Sequence, residues 1–324
     1  MICRKYLVIW LLFLCGSLPL FAQVAEDEEV LRVDTALVNI PFSVSDREGR
    51  SILGLKQENF TLFEDGKPIK IEYLSTQDNP LNVVLMLDTS RSAVERFDKI
   101  KNAATEFIKQ LRPNDKCMIV SFDSTARVKS EFTENQKLLD KAIKRTVLGE
   151  KPGTLMRDAI SVIVEKELPK VTGRKAIILI TDGKDAGSVI GEIDLLRKLA
   201  ESDAPIYSVL YETVPFASSS QEPIDIKKYD KKKLKQYQIA QQKKNEEAAS
   251  FMQKLAEITG GRSYRKEIDN LSEAFVTVTE ELRKQYLIGF YPEDANYNLA
   301  KHQIKIKIDR KNVAVRLKNY TLLK

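Results

Sequence analysis

Three stretches of strand length in this chain contain no charged or amide residue at all: Val83-Val84-Leu85-Met86-Leu87, Cys117-Met118-Ile119-Val120 and Ala176-Ile177-Ile178-Leu179-Ile180. A strand with one face in water alternates apolar and polar residues. A strand with no alternation has to be covered on both faces, as the strands of parallel sheets are. Elsewhere the apolar residues recur at helical spacing: Ile100, Ala103, Ala104, Phe107, Ile108 and Leu111 form one stripe, and Leu271, Ala274, Phe275, Val278 and Leu282 another. Further helices are expected over residues 137–146, 155–168 and 190–202, and strands over 126–132 and 205–211. Strands alternating with helices in this way predict a doubly wound, mostly parallel α/β sheet with helices on both faces, spanning residues 79–285.

The flanks have a different period. Ala36, Val38, Ile40, Phe42 and Val44 alternate with polar or smaller neighbours, which marks a strand with one buried face. Asp65-Gly66 between two apolar runs is a hairpin signal, with Pro68 at the start of the return strand. Near the C-terminus, Ile304, Ile306 and Ile308 and then Val313, Val315 and Leu317 read as a second hairpin turning at Asp309 to Asn312. Two strands bury too little to stand alone. The two ends (residues 23–78 and 286–324) are therefore expected to pack together as one β-sandwich with the α/β domain inserted between them.

Residues 1–22 have the pattern of a secretion signal: Arg4 and Lys5, an apolar stretch over residues 6–21, and a cleavage position near Ala22. The stretch is shorter than the roughly 20 residues that span a bilayer and is interrupted by Pro19, so an uncleaved anchor is the alternative. The expected destination is the periplasm or the cell exterior. Cleavage leaves Cys117 as the single cysteine, in a strand pattern that reads as inert core. The formal charge of +6 includes Arg4 and Lys5, and residues 227–247 hold eight lysines against three acids. The globular remainder is near neutral, which argues against nucleic-acid binding. The lysine-rich stretch from Lys227 to Lys244 is either a solvated helix face or a contact to an anionic surface.

Asp88, Ser90 and Ser92 leave the carboxyl end of the first apolar run, where open α/β sheets place their ligands. Thr154 opens a helix after Gly153, and Asp182 follows the third apolar run. Each has an ordinary explanation. Ser92-Ala93-Val94-Glu95 is a capping box, Thr154 is an acceptable N-cap, and Asp182-Gly183 is an acceptable turn. Together they place five oxygen-bearing side chains, two of them carboxylates, at one end of one sheet. A donor set of oxygen alone selects a hard divalent cation such as Mg²⁺ or Mn²⁺.

Asp88-Thr89-Ser90-Arg91-Ser92, Gly153-Thr154 and Ile180-Thr181-Asp182-Gly183 resemble the three parts of the metal-ion-dependent adhesion site of von Willebrand factor type A domains. With the Glu64-Asp65-Gly66-Lys67 hairpin and Tyr286-Leu287-Ile288-Gly289-Phe290-Tyr291-Pro292, the chain is similar to an exported group of such proteins typified in acidobacteria. The resemblance implies a Rossmann-like fold. It also implies that Ser90, Ser92 and Thr154 supply hydroxyl ligands, while Asp88 and Asp182 coordinate directly or through water. A partner protein would offer an acidic side chain to the open coordination position, and no catalytic activity is shared across the family.

Catalytic readings are weaker on the residues themselves. The sole histidine, His302, lies in the C-terminal strand region, far from the serines, so a Ser-His-Asp triad has no base. Zinc lacks nitrogen and sulfur ligands, and neither common phosphate loop is present. A metal-dependent hydrolase stays open only in that Mg²⁺ can activate water. The expected function is cation-dependent adhesion or protein binding, with a cell-envelope scaffold whose metal is structural as the alternative.

Overall fold

The computed structural model describes residues 37–47, 50–76, 79–211, 231–292 and 302–318. The leader pattern, the loop at 213–225, and Lys227 and Lys228 lie outside the described residues. In chain order the elements are β1 (Val38–Asp46), β2 (Phe60–Glu64), β3 (Lys67–Ile69), β4 (Tyr73–Thr76), β5 (Leu81–Asp88), α1 (Phe97–Lys109), β6 (Lys116–Phe122), β7 (Ala126–Thr133), α2 (Gln136–Lys144), α3 (Met156–Val162), β8 (Arg174–Thr181), α4 (Glu192–Glu201), β9 (Ile206–Tyr211), α5 (Lys231–Thr259), β10 (Arg262–Lys266), α6 (Leu271–Arg283), β11 (Tyr286–Phe290), β12 (Ile304–Ile308) and β13 (Val313–Leu317).

The three apolar runs become three adjacent central strands. In the six-stranded sheet ordered β10-β9-β8-β5-β6-β7, Val83 of β5 is flanked by Cys117 of β6 and Ala176 of β8. All neighbours are parallel except the edge pair β6–β7. Alternate residues of β5 enter opposite cores. Val83, Leu85 and Leu87 pack with α1, α2 and α6, whereas Val84 and Met86 pack with α3, α4 and α5. That two-sided cover accounts for the missing polar period, since burying each such side chain contributes about 1.5–3 kcal/mol. The helical stripe after residue 155 is α3 prolonged by a π-helical turn, Ile163–Glu167.

Chain ends form the sandwich. One sheet is ordered β13-β1-β11-β4 and the other β12-β2-β3. Ile40, Phe42, Val44, Tyr286, Ile288 and Phe290 from the first share a core with Phe60, Leu62, Ile304 and Ile306 from the second. Phe42 stacks on Tyr286 with ring centroids 5.4 Å apart. The Asp65-Gly66 hairpin forms as β2–β3, with Leu62 opposite Ile69, but the expected C-terminal hairpin does not. β12 pairs with β2 and β13 with β1, so the turn between them carries the chain from one sheet to the other, with Asn312 at φ +63°. Likewise β3 ends at Ile69 and β4 crosses to pair with β11. Splitting the strands puts both apolar faces into one core. Pro68 faces Phe63 within the edge strand β3, where its missing N–H leaves no neighbour unbonded.

Sandwich and α/β layers are joined through a buried polar cluster. Glu281 of α6 accepts hydrogen bonds from Ser43 Oγ of β1 at 3.2 Å and Tyr264 OH at 2.9 Å, and pairs with Arg262 Nε at 3.0 Å. Arg262 also donates to Ser45 Oγ at 3.2 Å. Close by, α5 ends on Gly260 at φ +77°, where a Cβ would lie 2.8 Å from the Lys318 backbone nitrogen.

Candidate metal centre

β5 and β8 are neighbours, but the helices that follow them pack on opposite faces: α1 on one and α4 on the other. Their carboxyl ends therefore flank the switch point of the sheet, where diverging loops leave a crevice. Asp88 is the last residue of β5, and Asp182 follows β8 directly. Both are buried.

Asp88 is pinned at both oxygens. Oδ1 accepts the Ser90 N–H at 2.9 Å and Oδ2 accepts the Thr181 hydroxyl at 2.7 Å. The Thr181 hydroxyl in turn accepts the Gly183 N–H at 2.9 Å, tying the turn after β8 to the carboxylate of β5. Ser90 Oγ and Ser92 Oγ lie 2.9 Å apart. Asp182 Oδ1 accepts the Lys184 N–H at 3.1 Å, whereas its buried Oδ2 has no hydrogen-bond partner and lies 3.6 Å from Lys184 Nζ. Thr154 is buried and exchanges two backbone hydrogen bonds with Ala186, at 3.0 and 2.9 Å, in the loop that follows Asp182. The five side chains singled out from sequence thus lie on three loops at one end of the sheet.

The ordinary explanations fare poorly at two positions. Ser92 caps no helix: a 3-10 stretch, Arg91–Arg96, begins after Ser90, and the Ser92 hydroxyl is turned to Ser90. Helix α3 starts at Met156 behind Leu155, so Thr154 is not its N-cap.

Electrostatics favour a cation. Burial, then the charge of Asp182, pushes the Asp88 carboxyl up to about 7 against the opposing hydrogen bonds of Ser90 and Thr181. The Tyr211 hydroxyl, at the end of β9, is also buried without a hydrogen-bond partner, and burial followed by Asp88 and Asp182 raises its pKa. The buried Asp182 Oδ2 thus has an ammonium 3.6 Å away but no hydrogen bond, a shortfall that a closer cation would satisfy. Two carboxylates balance a divalent charge and hydroxyl oxygens suit Mg²⁺ or Mn²⁺, so the residues present fit such an ion. Among the described residues no group of three or more His, Cys, Asp or Glu side chains is placed to hold a metal. His302 belongs to the sandwich, with Nδ1 2.9 Å from Asp65 and 3.2 Å from Glu64. Cys117 is buried and free, and burial raises its thiol pKa.

Fold and crevice define an α/β module with an oxygen-lined site at its switch point. Residues 83–184 match the von Willebrand factor type A domain, and the chain carries such a domain. These domains are typically interaction modules that hold a divalent metal rather than enzymes. No curated protein matches the chain. Solved structures are similar at low identity, among them the following three. A von Willebrand factor type A protein from Catenulispora acidiphila is 12% identical, with 87% of this chain and 72% of that one covered and a TM-score of 0.48. The vWF domain of the type V pili tip protein Mfa5 from Porphyromonas gingivalis is 12% identical over 63% of this chain and 95% of its own, with a TM-score of 0.45. Proximal thread matrix protein 1 from the mussel byssus, with a zinc-occupied MIDAS motif, is 13% identical over 64% and 49%, with a TM-score of 0.46.

Proposed function

We propose that this chain is an exported, cation-dependent protein-binding module. Asp88, Ser90, Ser92, Thr154 and Asp182 hold Mg²⁺ or Mn²⁺, and the ion supplies an open position for a carboxylate of the partner. The observation that carries the reading is the buried Asp182 Oδ2, which accepts no hydrogen bond, has only the Lys184 ammonium at 3.6 Å, and bears a charge that raises the buried Asp88 carboxyl at the switch point. Supporting it, the three most exposed large apolar side chains among the described residues are Val189 at 93%, Ile193 at 68% and Val147 at 67%. All three leave the carboxyl end of the sheet, on the loop after Asp182, the first turn of α4 and the loop before Thr154. Apolar side chains standing in water around a polar crevice are what a protein-binding face requires. The leader pattern supports export, and among the described residues no helix is long and apolar enough to cross a membrane.

One observation favours a structural metal instead: Asp88 is fully buried and held at both oxygens, as a ligand in a closed site would be. In that case the chain is an envelope scaffold. The two readings separate in one experiment. Immobilised protein is presented with arrayed peptides carrying a central Asp or a central Asn, in Mg²⁺ or in chelator. Recognition predicts retention of Asp peptides only, only with Mg²⁺, and its loss in Asp182→Ala with little change in melting temperature. Retention indifferent to chelator refutes it. A large drop in melting temperature on chelation, without peptide binding, assigns the metal a structural role.

A further inference from the structure

Asp123 contributes none of the five oxygens, yet it is fully buried at the end of β6 and all its acceptor capacity is engaged. Oδ2 accepts the Thr89 hydroxyl at 3.0 Å and Arg127 Nη1 at 2.6 Å, while Oδ1 accepts the Thr125 N–H at 3.1 Å and the Ser124 hydroxyl at 3.2 Å. Its carbonyl accepts the Leu155 N–H at 2.7 Å. Thr89 stands between Asp88 and Ser90, and Leu155 directly follows Thr154. One residue therefore grips the neighbours of three candidate ligands on two separate loops. The contact continues through the backbone, because the Thr89 carbonyl accepts the Gly149 N–H at 2.8 Å. Gly149 lies so close that a Cβ there would fall 2.5 Å from Asp123 Cγ.

The simplest explanation is a turn. Asp123 bonding the Thr125 N–H is an Asx-turn between β6 and β7. That accounts for Oδ1 alone. It leaves unexplained why Oδ2 reaches across to Thr89, why the carbonyl carries Leu155, and why the loop before Thr154 is laid against this carboxylate with glycine at the contact. Groups that orient metal ligands without touching the metal act through such hydrogen bonds, and removing them typically weakens metal affinity about 10–100-fold.

We propose that Asp123 is a positioning residue of the metal centre, which clamps the Asp88–Ser90 loop to the Thr154 loop so that their oxygens converge. The inference rests on the cation reading above. Its test is calorimetric titration of Mg²⁺ and Mn²⁺ into the full chain, at a temperature where circular dichroism shows each variant folded. Asp123→Ala, which removes the Thr89 contact but keeps the carbonyl bond to Leu155, is expected to weaken binding about 10–100-fold, and Asp123→Asn, which keeps a side-chain oxygen as an acceptor for Thr89, to fall between it and the wild type. Arg127→Gln removes the ion pair on the outer side of the carboxylate without touching either loop, so it should lower the melting temperature while leaving affinity within about twofold. Wild-type affinity in both Asp123 variants overturns the proposal. So does an Arg127→Gln loss as large as that of Asp123→Ala, because the effect would then be general destabilisation. Absence of binding in the wild type discards the cation reading and this proposal with it, whereas binding that is insensitive to Asp123 discards only the proposal.

Discussion

Asp88 makes the stability of the metal-free protein depend on pH in an unusual direction. Its carboxyl rises from 3.8 to about 7 in the folded state because of burial and then the Asp182 charge. Between those values the folded chain keeps a proton that the unfolded chain has released, so stability falls as pH rises through the window. The slope approaches about 1.4 kcal/mol per pH unit, and across the window the loss is on the order of 4 kcal/mol. For a chain of this size that lowers the melting temperature by roughly 10 °C between pH 4 and pH 7.5. Chemical denaturation in chelator over this range measures it, with Asp88→Asn as the reference that removes the contribution of other groups, Glu281 included, whose carboxyl burial also raises. The wild-type slope should exceed that of Asp88→Asn by most of the amount above. Mg²⁺ should recover more stability at pH 7.5 than at pH 5, since ligands bind metal deprotonated. Parallel slopes for the two proteins would refute the electrostatic account of the crevice.

Two further outcomes follow from particular contacts. Glu281→Ala strips the counter-charge from a largely buried Arg262 at the junction with the sandwich and should cost about 3–5 kcal/mol in urea unfolding; a loss under about 1 kcal/mol would mean the junction is held by its apolar contacts alone. Lys232, Lys235, Lys243 and Lys244 are exposed on the outer half of α5, so if this helix docks on an anionic surface, vesicles with anionic lipid should retain the protein at low salt and release it as salt rises, and replacing the four by glutamine should end retention. Equal behaviour of the variant leaves the lysines a solvated face.

How legible each part was depended on whether its cause is local. β5, β6 and β8 announce themselves because a strand buried on both faces has no polar period, and Ile100 to Leu111 and Leu271 to Leu282 because one helical face is buried. Asp88, Ser90, Ser92, Thr154 and Asp182 could be nominated because each sits at the end of such an element. Ser92 stayed ambiguous from sequence, since a capping serine and a crevice serine have the same neighbours; only its contact with Ser90 decides. Thr181 belongs to the Ile180-Thr181-Asp182-Gly183 motif, but its bond to Asp88 depends on β5 and β8 being adjacent across 93 residues. Tyr211 and Asp123 were missed for the same reason. Asp123 in Phe122-Asp123-Ser124-Thr125 reads as a turn, and its grip on Thr89 and Leu155 exists only after two loops meet. The split of β12 and β13 between sheets was illegible because alternating strands look identical whether they pair with each other or with distant partners.

The central claim is that Asp88, Ser90, Ser92, Thr154 and Asp182 form one cation site, and calorimetric titration of Mg²⁺ and Mn²⁺ into the chelator-stripped full chain tests it most directly. The account predicts one ion per chain for the wild type and no measurable binding for a folded Asp182→Ala variant. Heat equal to dilution in the wild type, or unchanged binding in Asp182→Ala, would contradict it.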